Sequence, residues 1–509
     1  MIDNKHWGRD VGTDCTPQDY SKIRQLVTKS LEQSSPFPRH ELLPIQKLSV
    51  ASCVALGFRC LFDDMGLGKT AQSLAMDTLE GHKNTLIFCP NNIKTVWEFE
   101  LYKFLNIQTH EIYIGKGSDL THLPDKIAKK YRYIIFNYEA LISAAKTHRI
   151  IPSVFRVCTH HILDEAHYFR NALSRRYMAY LHFLTSQKPQ TVKSLTILTG
   201  TPVDRSIVEL WPYFTLLDHN PRVPGQPFRK FFGNYSVFSC RYAETRGINQ
   251  WRGYKEQMLP EIFNMMGPRF TQRKIEEVVE LPKLNKYTID IPNKHLPNID
   301  MDDSIKRFKK AFALIHKSTK MAKAFDDGLE SDDSFMRITQ KLRCDIAKAK
   351  APLSFETAKE YRKFTNKPLL IFFEFITPLL IFEKHATMAN YKTLSVYGKG
   401  MHNADREHNL AQFKEERHDF LLATYGVLSE GVNLQQFNCL ILNDLPWQPL
   451  TINQTIRRVW RIGQKQECYV ISMMCKADSV VLNTVTNKQT MVSKIENMFS
   501  LKKREWGLV

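Results

Sequence analysis

The chain has 509 residues, 43% hydrophobic and 24% charged, a size and mix that call for two or three soluble domains rather than one core. Lys and Arg number 71 against 52 Asp and Glu, and the resulting formal charge of +19 favours a polyanionic partner over a merely solubilising basic surface. The ten cysteines stand apart with no Cys-x-x-Cys, which excludes a zinc ribbon, a disulfide scaffold and a thioredoxin-type site and fits reduced thiols inside a cell.

Residues 1–41 read as an arm. Met1 to Asp10 is polar, with no signal-peptide pattern, and Ser34 to Pro38 forms an extended lead-in. From Leu42 to Leu217, short apolar runs alternate with helical patterns. Strands are expected at Cys60–Phe62, Thr85–Cys89, Tyr133–Phe136, His160–Leu163 and Leu195–Thr199. Strands flanked by helices make a parallel, doubly wound sheet, and ligands of such sheets bind at the carboxyl ends of the strands. Residues 218–365 are basic, carry aromatics, and show helical spacing at Ile305, Phe312 and Ile315. They read as helical protrusions plus a linker. A second series of the same kind occupies 366–493, with strands expected at Leu369–Phe373, Thr393–Tyr397, Phe420–Thr424, Cys439–Leu442 and Tyr469–Met473. The most apolar run, Pro368 to Phe382, contains Glu374 and is too short to cross a bilayer, so no membrane role is expected. Residues 494–509 are a tail. The fold class is α/β: two doubly wound parallel-sheet lobes with helical insertions between them.

Four segments carry chemistry. The first runs from Asp63 to Thr70, after a strand and before a helix. Gly66 and Gly68 let backbone amides turn inward, so Asp64, Met65, Gly66, Leu67 and Gly68 make a cradle for the phosphates of ATP. Lys69 would reach the β- and γ-phosphates and the Thr70 hydroxyl would ligate Mg²⁺. Asp63 stands where the general phosphate loop has glycine. Next, Asp164 and Glu165 end an apolar strand. Asp164 suits holding Mg²⁺ and Glu165 suits orienting and deprotonating the attacking water; an acidic pair at a helix start is the other reading. Third, Thr199, Gly200 and Thr201 close a strand, with both hydroxyls within reach of the acidic pair. Last, Gln454, Arg458 and Arg461 fall on one helical face. Arg458 and Arg461 suit a developing charge on the γ-phosphate, although a solvated charged face is also open. Upstream, Thr424 and Ser429 to Leu434 form a polar loop after a strand.

Together these segments resemble the Swi/Snf-type ATPases of helicase superfamily two, from about Leu42 to Ser493. The resemblance implies two RecA-like lobes and an ATP hydrolase, helicase-like and DNA-dependent, with ATP and Mg²⁺. Leu43 to Gln46 resembles the family's adenine-reading motif, with Gln46 as the reader. Phe88 to Pro90 with Trp97, and Asn137 to Leu141, resemble segments that touch one DNA strand. Asp164 to His167 with Arg170 and Asn171, Leu198 to Pro202, Glu209 to Trp211, Leu369 to Phe372, Glu430 to Leu434, Trp447 to Pro449 and Arg458 to Gln464 match further motifs. Asp204 and Arg205 depart from the family's Gln-Asn, Trp460 from a histidine, and Arg457 from an acidic residue. The compact build also resembles a baculovirus transactivator. The implied function is a translocase on double-stranded DNA that remodels protein–DNA complexes in transcription regulation or chromatin remodelling, acting in the nucleus (the host's, for a viral protein). Its expected partners include nucleosomes or transcription proteins. A strand-annealing or strand-separating helicase, and a catalytically silent DNA-binding regulator, are the alternatives. Arg229, Lys230, Arg269, Arg273 and Lys274 are expected to grip the second DNA strand.

Overall fold

The computed structural model describes the chain from 40 to 479, apart from 57–59, 147–150, 187–191, 205, 219–231, 246–250, 267–269, 297–298, 309–333, 399–400, 429–433, 447–448 and most of 402–417; beyond that span it describes scattered positions between 21 and 38 and between 493 and 497. Within this frame the chain divides into two compact units. The first holds residues up to Thr245, then Trp251–Val278 and Met491–Val509; the second holds Arg246–Gln250 and Val279–Thr490.

The first unit is built on a six-stranded sheet of β1 (Cys60–Leu61), β2 (Thr85–Cys89), β3 (Ile112–Ile114), β4 (Tyr133–Asn137), β5 (His160–Leu163) and β6 (Ser194–Leu198). Their order across the sheet is β1-β6-β5-β2-β4-β3, and every pair is parallel. Parallel strands covered on both faces read as continuous apolar runs, and β2, β5 and β6 are buried at every position. The helices that matter for the site are α1 (Pro44–Leu56), α2 (Lys69–Glu80), α3 (Lys94–Leu105) and α4 (Tyr138–Ala145).

The second unit repeats the plan. Its strands are β7 (Leu284–Asp290), β8 (Leu369–Phe373), β9 (Thr393–Val396), β10 (Phe420–Thr424), β11 (Cys439–Leu442) and β12 (Cys468–Met474), in the order β9-β10-β8-β11-β12-β7, again all parallel. The 32-residue helix α5 (Ser334–Thr365) and α6 (Ile376–Met388) pack on one face, and α7 (Pro449–Val459) follows β11. No described helix is long and apolar enough to cross a membrane.

Ten of the twelve strands in these two sheets lie where the apolar runs place them. The other two are β3 and β7. β3 is three residues long, and β7 falls inside the stretch expected to be helical. From Lys286 to Asp290 polar and apolar residues alternate, and these five residues are exposed, because β7 is an edge strand paired only with β12 among the described residues.

Candidate active site

β1, β6 and β5 are neighbours, with Leu61 level with Leu198 and Leu163 level with Ile197. Their carboxyl ends therefore bring the phosphate loop, the Thr199–Gly200 turn and the acidic pair to one side of the first sheet. A Cβ on Gly200 would come within 3.3 Å of Met65 Cγ and 3.5 Å of the Asp63 carbonyl, so the turn packs directly against the loop.

In the loop, Gly66 (φ 89°) and Gly68 (φ 75°) take the left-handed conformation that only glycine adopts without strain. Lys69 and Thr70 open α2, so the lysine stands where the helix's amides carry partial positive charge. The Lys69 ammonium donates to the carbonyls of Asp63 (2.7 Å) and Asp64 (3.1 Å). Gln46 lies over Gly68. Its Nε2 donates to the Leu67 carbonyl at 3.2 Å and its Oε1 accepts from the Leu43 amide at 3.0 Å. The expected adenine reader thus sits on the phosphate loop itself. Asp63 is buried beneath the loop and accepts from the Ser49 hydroxyl at 3.4 Å, which gives the residue in the missing glycine's place a packing role.

Asp164 and Glu165 are both 9% exposed. Trp97 Nε1 donates to Asp164 Oδ2 at 2.8 Å, the Glu165 amide donates to Oδ1 at 2.9 Å, and the Tyr138 hydroxyl donates to the Asp164 carbonyl at 2.6 Å. Glu165 has φ 51°, a left-handed conformation unusual for a non-glycine residue and costing about 1–3 kcal/mol, a cost tolerated where surrounding contacts over-determine it, often at functional sites. His167 Nδ1 lies 3.1 Å from Glu165 Oε2. Burial, then the charge of Glu165, pushes the Asp164 carboxyl up to about 7, against the opposing effects of Trp97 and Lys69. A buried carboxyl pair, with the Thr70 hydroxyl in the first turn of α2 after the neighbouring phosphate loop, is a hard-oxygen donor set. It fits Mg²⁺, which keeps several waters and takes phosphate oxygens rather than demanding a protein cage. The described residues hold no group of three or more His, Cys, Asp and Glu able to bind a metal by themselves.

Several expectations need correction. Trp97 is 1% exposed, and Phe88, Cys89, Tyr138 and Leu141 are fully buried. These residues pack the core or hold Asp164 from below, whereas within the same two segments Asn137 is half-buried and Glu139 exposed, as are Asn91 and Asn92 ahead of Trp97. Arg273 is 2% exposed and donates to the Ile45 carbonyl and to Ser49 Oγ under the phosphate loop, so it grips no DNA phosphate; Lys274 is half-buried. Arg229, Lys230 and Arg269 lie outside the described residues. The Thr199 hydroxyl accepts from the Thr201 amide at 3.2 Å within its own turn. Asp204, one of the family departures, is 3.9 Å from Arg170, and its amide donates to Glu209 Oε2 at 2.5 Å.

In the second unit α7 ends at Val459, so Arg458 closes the helix and Arg461 stands in the turn beyond it. Both are half-buried, whereas Gln454 is buried. Gln464 fixes that turn: its Nε2 donates to the carbonyls of Gln435 (3.1 Å), Phe437 (2.9 Å) and Val459 (3.2 Å), and its Oε1 accepts from the amides of Lys465 and Gln466. The two departures in this segment answer each other. The Arg457 guanidinium lies 4.7 Å from the Trp460 ring centroid, and Trp460 Nε1 donates to the Pro282 carbonyl at 2.6 Å. Ser429 to Asn433, Trp447 and Gln448 lie outside the described residues.

Residues 56–348, more than half of the chain, match the SNF2-related domain, and residues 354–463 match the helicase conserved C-terminal domain. The chain belongs to the SNF2-related family. These two domains are those of a helicase-like, DNA-dependent ATPase. The chain is 25% identical to the mouse DNA repair and recombination protein RAD54B, over 86% of this chain and 54% of that protein. It is 24% identical to the mouse DNA annealing helicase and endonuclease ZRANB3, over 88% of this chain and 40% of that protein. It thus spans about half or less of the length of these curated relatives. Among solved structures, the Sulfolobus solfataricus SWI2/SNF2 ATPase core in complex with double-stranded DNA aligns over 94% of this chain and 98% of that one, at 19% identity and a TM-score of 0.39. These relatives lend no support to the baculovirus likeness.

Proposed function

We propose that this SNF2-family chain is a translocase that hydrolyses ATP to ADP and phosphate while moving along double-stranded DNA, and so remodels protein–DNA complexes. The observation that carries this reading is the delivery of Lys69, Gly200 and the Asp164–Glu165 pair to one side of a single sheet by adjacent strands. Lys69 exchanges loop carbonyls for the β- and γ-phosphates, and the amides of residues 64–70 cradle the same groups. Gln46, already seated on the loop, reads the adenine. Thr70 and Asp164 hold Mg²⁺, which supplies positive charge to the phosphate oxygens when bound. Glu165 orients the attacking water and takes its proton. Arg458 and Arg461, from the second unit, stabilise the charge that develops on the γ-phosphate. The basic excess serves the phosphates of the duplex, with weak sequence preference because phosphate contacts position without specifying. Nuclear action in transcription regulation or chromatin remodelling, with nucleosomes or transcription proteins as partners, belongs to the same reading.

The test is ATP turnover with and without duplex DNA, in the natural chain and in Glu165→Gln. The variant keeps the shape of the site and removes the base, so nucleotide binding should persist while turnover disappears. Near-normal hydrolysis by Glu165→Gln overturns the assignment. For the motor, ATP-driven displacement of a third strand from a triplex, with a forked duplex left paired, is expected. Processive opening of the fork would establish a strand-separating helicase instead.

A further inference from the structure

The segment from Phe270 to Leu284 runs from the first unit into the second, and each of its ends is fastened to a part of the site. In the first unit it lies along the outer edge of β1 in the manner of an added parallel strand. The Thr271 amide donates to the Cys60 carbonyl (2.9 Å), the Phe62 amide to the Thr271 carbonyl (2.8 Å), and the Asp64 amide to the Arg273 carbonyl (2.9 Å). Asp64 Oδ2 then accepts from the Ile275 amide at 3.2 Å. The phosphate loop is therefore held from outside by this segment. Arg273 adds a second hold: its guanidinium, buried under the loop, bonds the Ile45 carbonyl and Ser49 Oγ of α1, the helix that also carries Gln46, and Ser49 bonds Asp63.

At the other end, the Pro282 carbonyl accepts from Trp460 Nε1 at 2.6 Å and the Lys283 carbonyl accepts from the Cys468 amide at 2.9 Å, after which β7 pairs with β12. Trp460 immediately precedes Arg461 and is stacked on by Arg457. Ile275 is fully buried and its carbonyl receives the Val278 amide, so the first-unit anchorage extends to Val278. Only residues 279–281 separate the two sets of fastenings. Three residues reach about 10 Å at full extension, which bounds how far the two anchorages can part.

We propose that Phe270–Leu284 is a two-ended strap that couples the phosphate loop mechanically to the arginine turn, with Arg273 and Trp460 as its positioning residues. A nucleotide that shifts Asp64 and Lys69 pulls on Arg273 and Ile275, and through 279–281 on Pro282, Trp460 and the turn that carries Arg461. Neither positioning residue touches the reacting atoms. The proposal rests on the ATPase reading of the site.

Two variants and one measurement on the natural chain test it. A flexible glycine–serine insert after Val279 lengthens the strap without touching either anchor. It should leave binding of a non-hydrolysable ATP analogue unchanged and lower DNA-stimulated kcat by about tenfold or more, a loss of roughly 1.4 kcal/mol in coupling. Trp460→Phe keeps a ring for Arg457 and removes the N–H to Pro282; it should lower kcat with little change in KM. Hydrogen exchange on the natural chain should show the analogue slowing amides at 282–284 and 460–464, and the insert should abolish that response while leaving the slowing at 64–70 intact. An insert variant that folds, binds the analogue and turns over at the natural rate overturns the strap. So does an exchange response at 460–464 that survives the insert. Absence of any ATP turnover by the natural chain would instead overturn the ATPase reading, leaving the exchange experiment to decide the strap.

Discussion

β5 and β11 each end in buried acidic residues, Asp164 with Glu165 in the first unit and Asp444 in the second. Asp164 receives bonds from Trp97 and from the Glu165 amide, and Lys69 lends it charge from the phosphate loop. Asp444 receives Asn443 Nδ2 and the Glu374 amide, with the charges of Lys350 and Arg343 close by. Burial pushes both carboxyls up, but Asp444 is opposed by two cations from α5. Lys350 also binds Asp478 (2.9 Å) and the Met473 carbonyl, while Arg343 reaches the Leu445 carbonyl and lies 3.8 Å from Glu374. The same place in the same kind of sheet thus serves two ends. Where α5 supplies cations, the strand ends become an internal ionic cluster that pins a 32-residue helix. Where the counter-charge falls short, they suit a ligand that brings its own.

That contrast breaks first at the arginine turn, where the largest effect is expected. If the second unit lends chemistry through Arg461 rather than through its strand ends, Arg461→Ala should bind ATP normally and hydrolyse it roughly 10³-fold more slowly, as a lost arginine finger does. Normal single-turnover rates in that variant would return the arginines to a structural role.

Lys350→Met probes the ionic cluster. Removing one partner of a buried pair leaves the Asp478 charge with only the Cys475 amide and should cost about 3–5 kcal/mol in denaturant unfolding, whereas Lys350→Met with Asp478→Leu should recover most of it. A single variant as stable as the natural chain would show that the cluster pins nothing.

How far the sequence reveals this contrast depends on the range of each signal. Runs such as Thr85–Cys89 and Phe420–Thr424 are legible because a strand buried on both faces must be apolar throughout. Lys69, Asp164 and Glu165 are legible because a phosphate loop and an acidic strand end are local patterns. Trp97, Tyr138 and Arg273 are not. Each acts through a hydrogen bond to a residue distant in the chain, and nothing in their neighbours separates a tryptophan that supports an aspartate from one that meets DNA. A basic residue in a basic stretch reads as surface, yet Arg273 is buried because α1 offers it Ser49 and the Ile45 carbonyl. β7 escaped notice because an edge strand needs no apolar run.

Trp97→Phe sharpens the first half of the comparison. It removes one bond to a charged acceptor, of about 1.5–3 kcal/mol, while keeping an aromatic ring in the core. Turnover should fall by about tenfold or more and the Mg²⁺ concentration for half-maximal rate should rise, with stability lowered by no more than that one bond. An unchanged Mg²⁺ dependence would separate Trp97 from the function of Asp164.

The effect that is smallest near neutral pH concerns acid stability, and it distinguishes two adjacent residues of β5. His160 Nδ1 lies 2.5 Å from Asp77 Oδ1, and Asp77, although burial pushes it up, is held below the usual carboxylate range by the bond and charge of His160 and by Tyr133 and Thr85. His161 has no carboxylate among its described bonds. It lies 2.9 Å from the Tyr180 hydroxyl, and burial, then the charge of His160, lowers it to about 3. Below its ordinary value of about 6.5, His161 takes a proton in the unfolded chain but not in the folded one, so acid favours unfolding until about pH 3. Its contribution vanishes above pH 6.5 and grows by about 1.4 kcal/mol per pH unit as pH falls between those values. His161→Phe keeps a ring against Phe155 and Tyr180 and removes the titration. Plotted against pH, its unfolding temperature should match the natural chain's slope above 6.5 and decline less steeply below it. Parallel acid limbs in the two proteins would mean that His161 is not the group that takes up the proton.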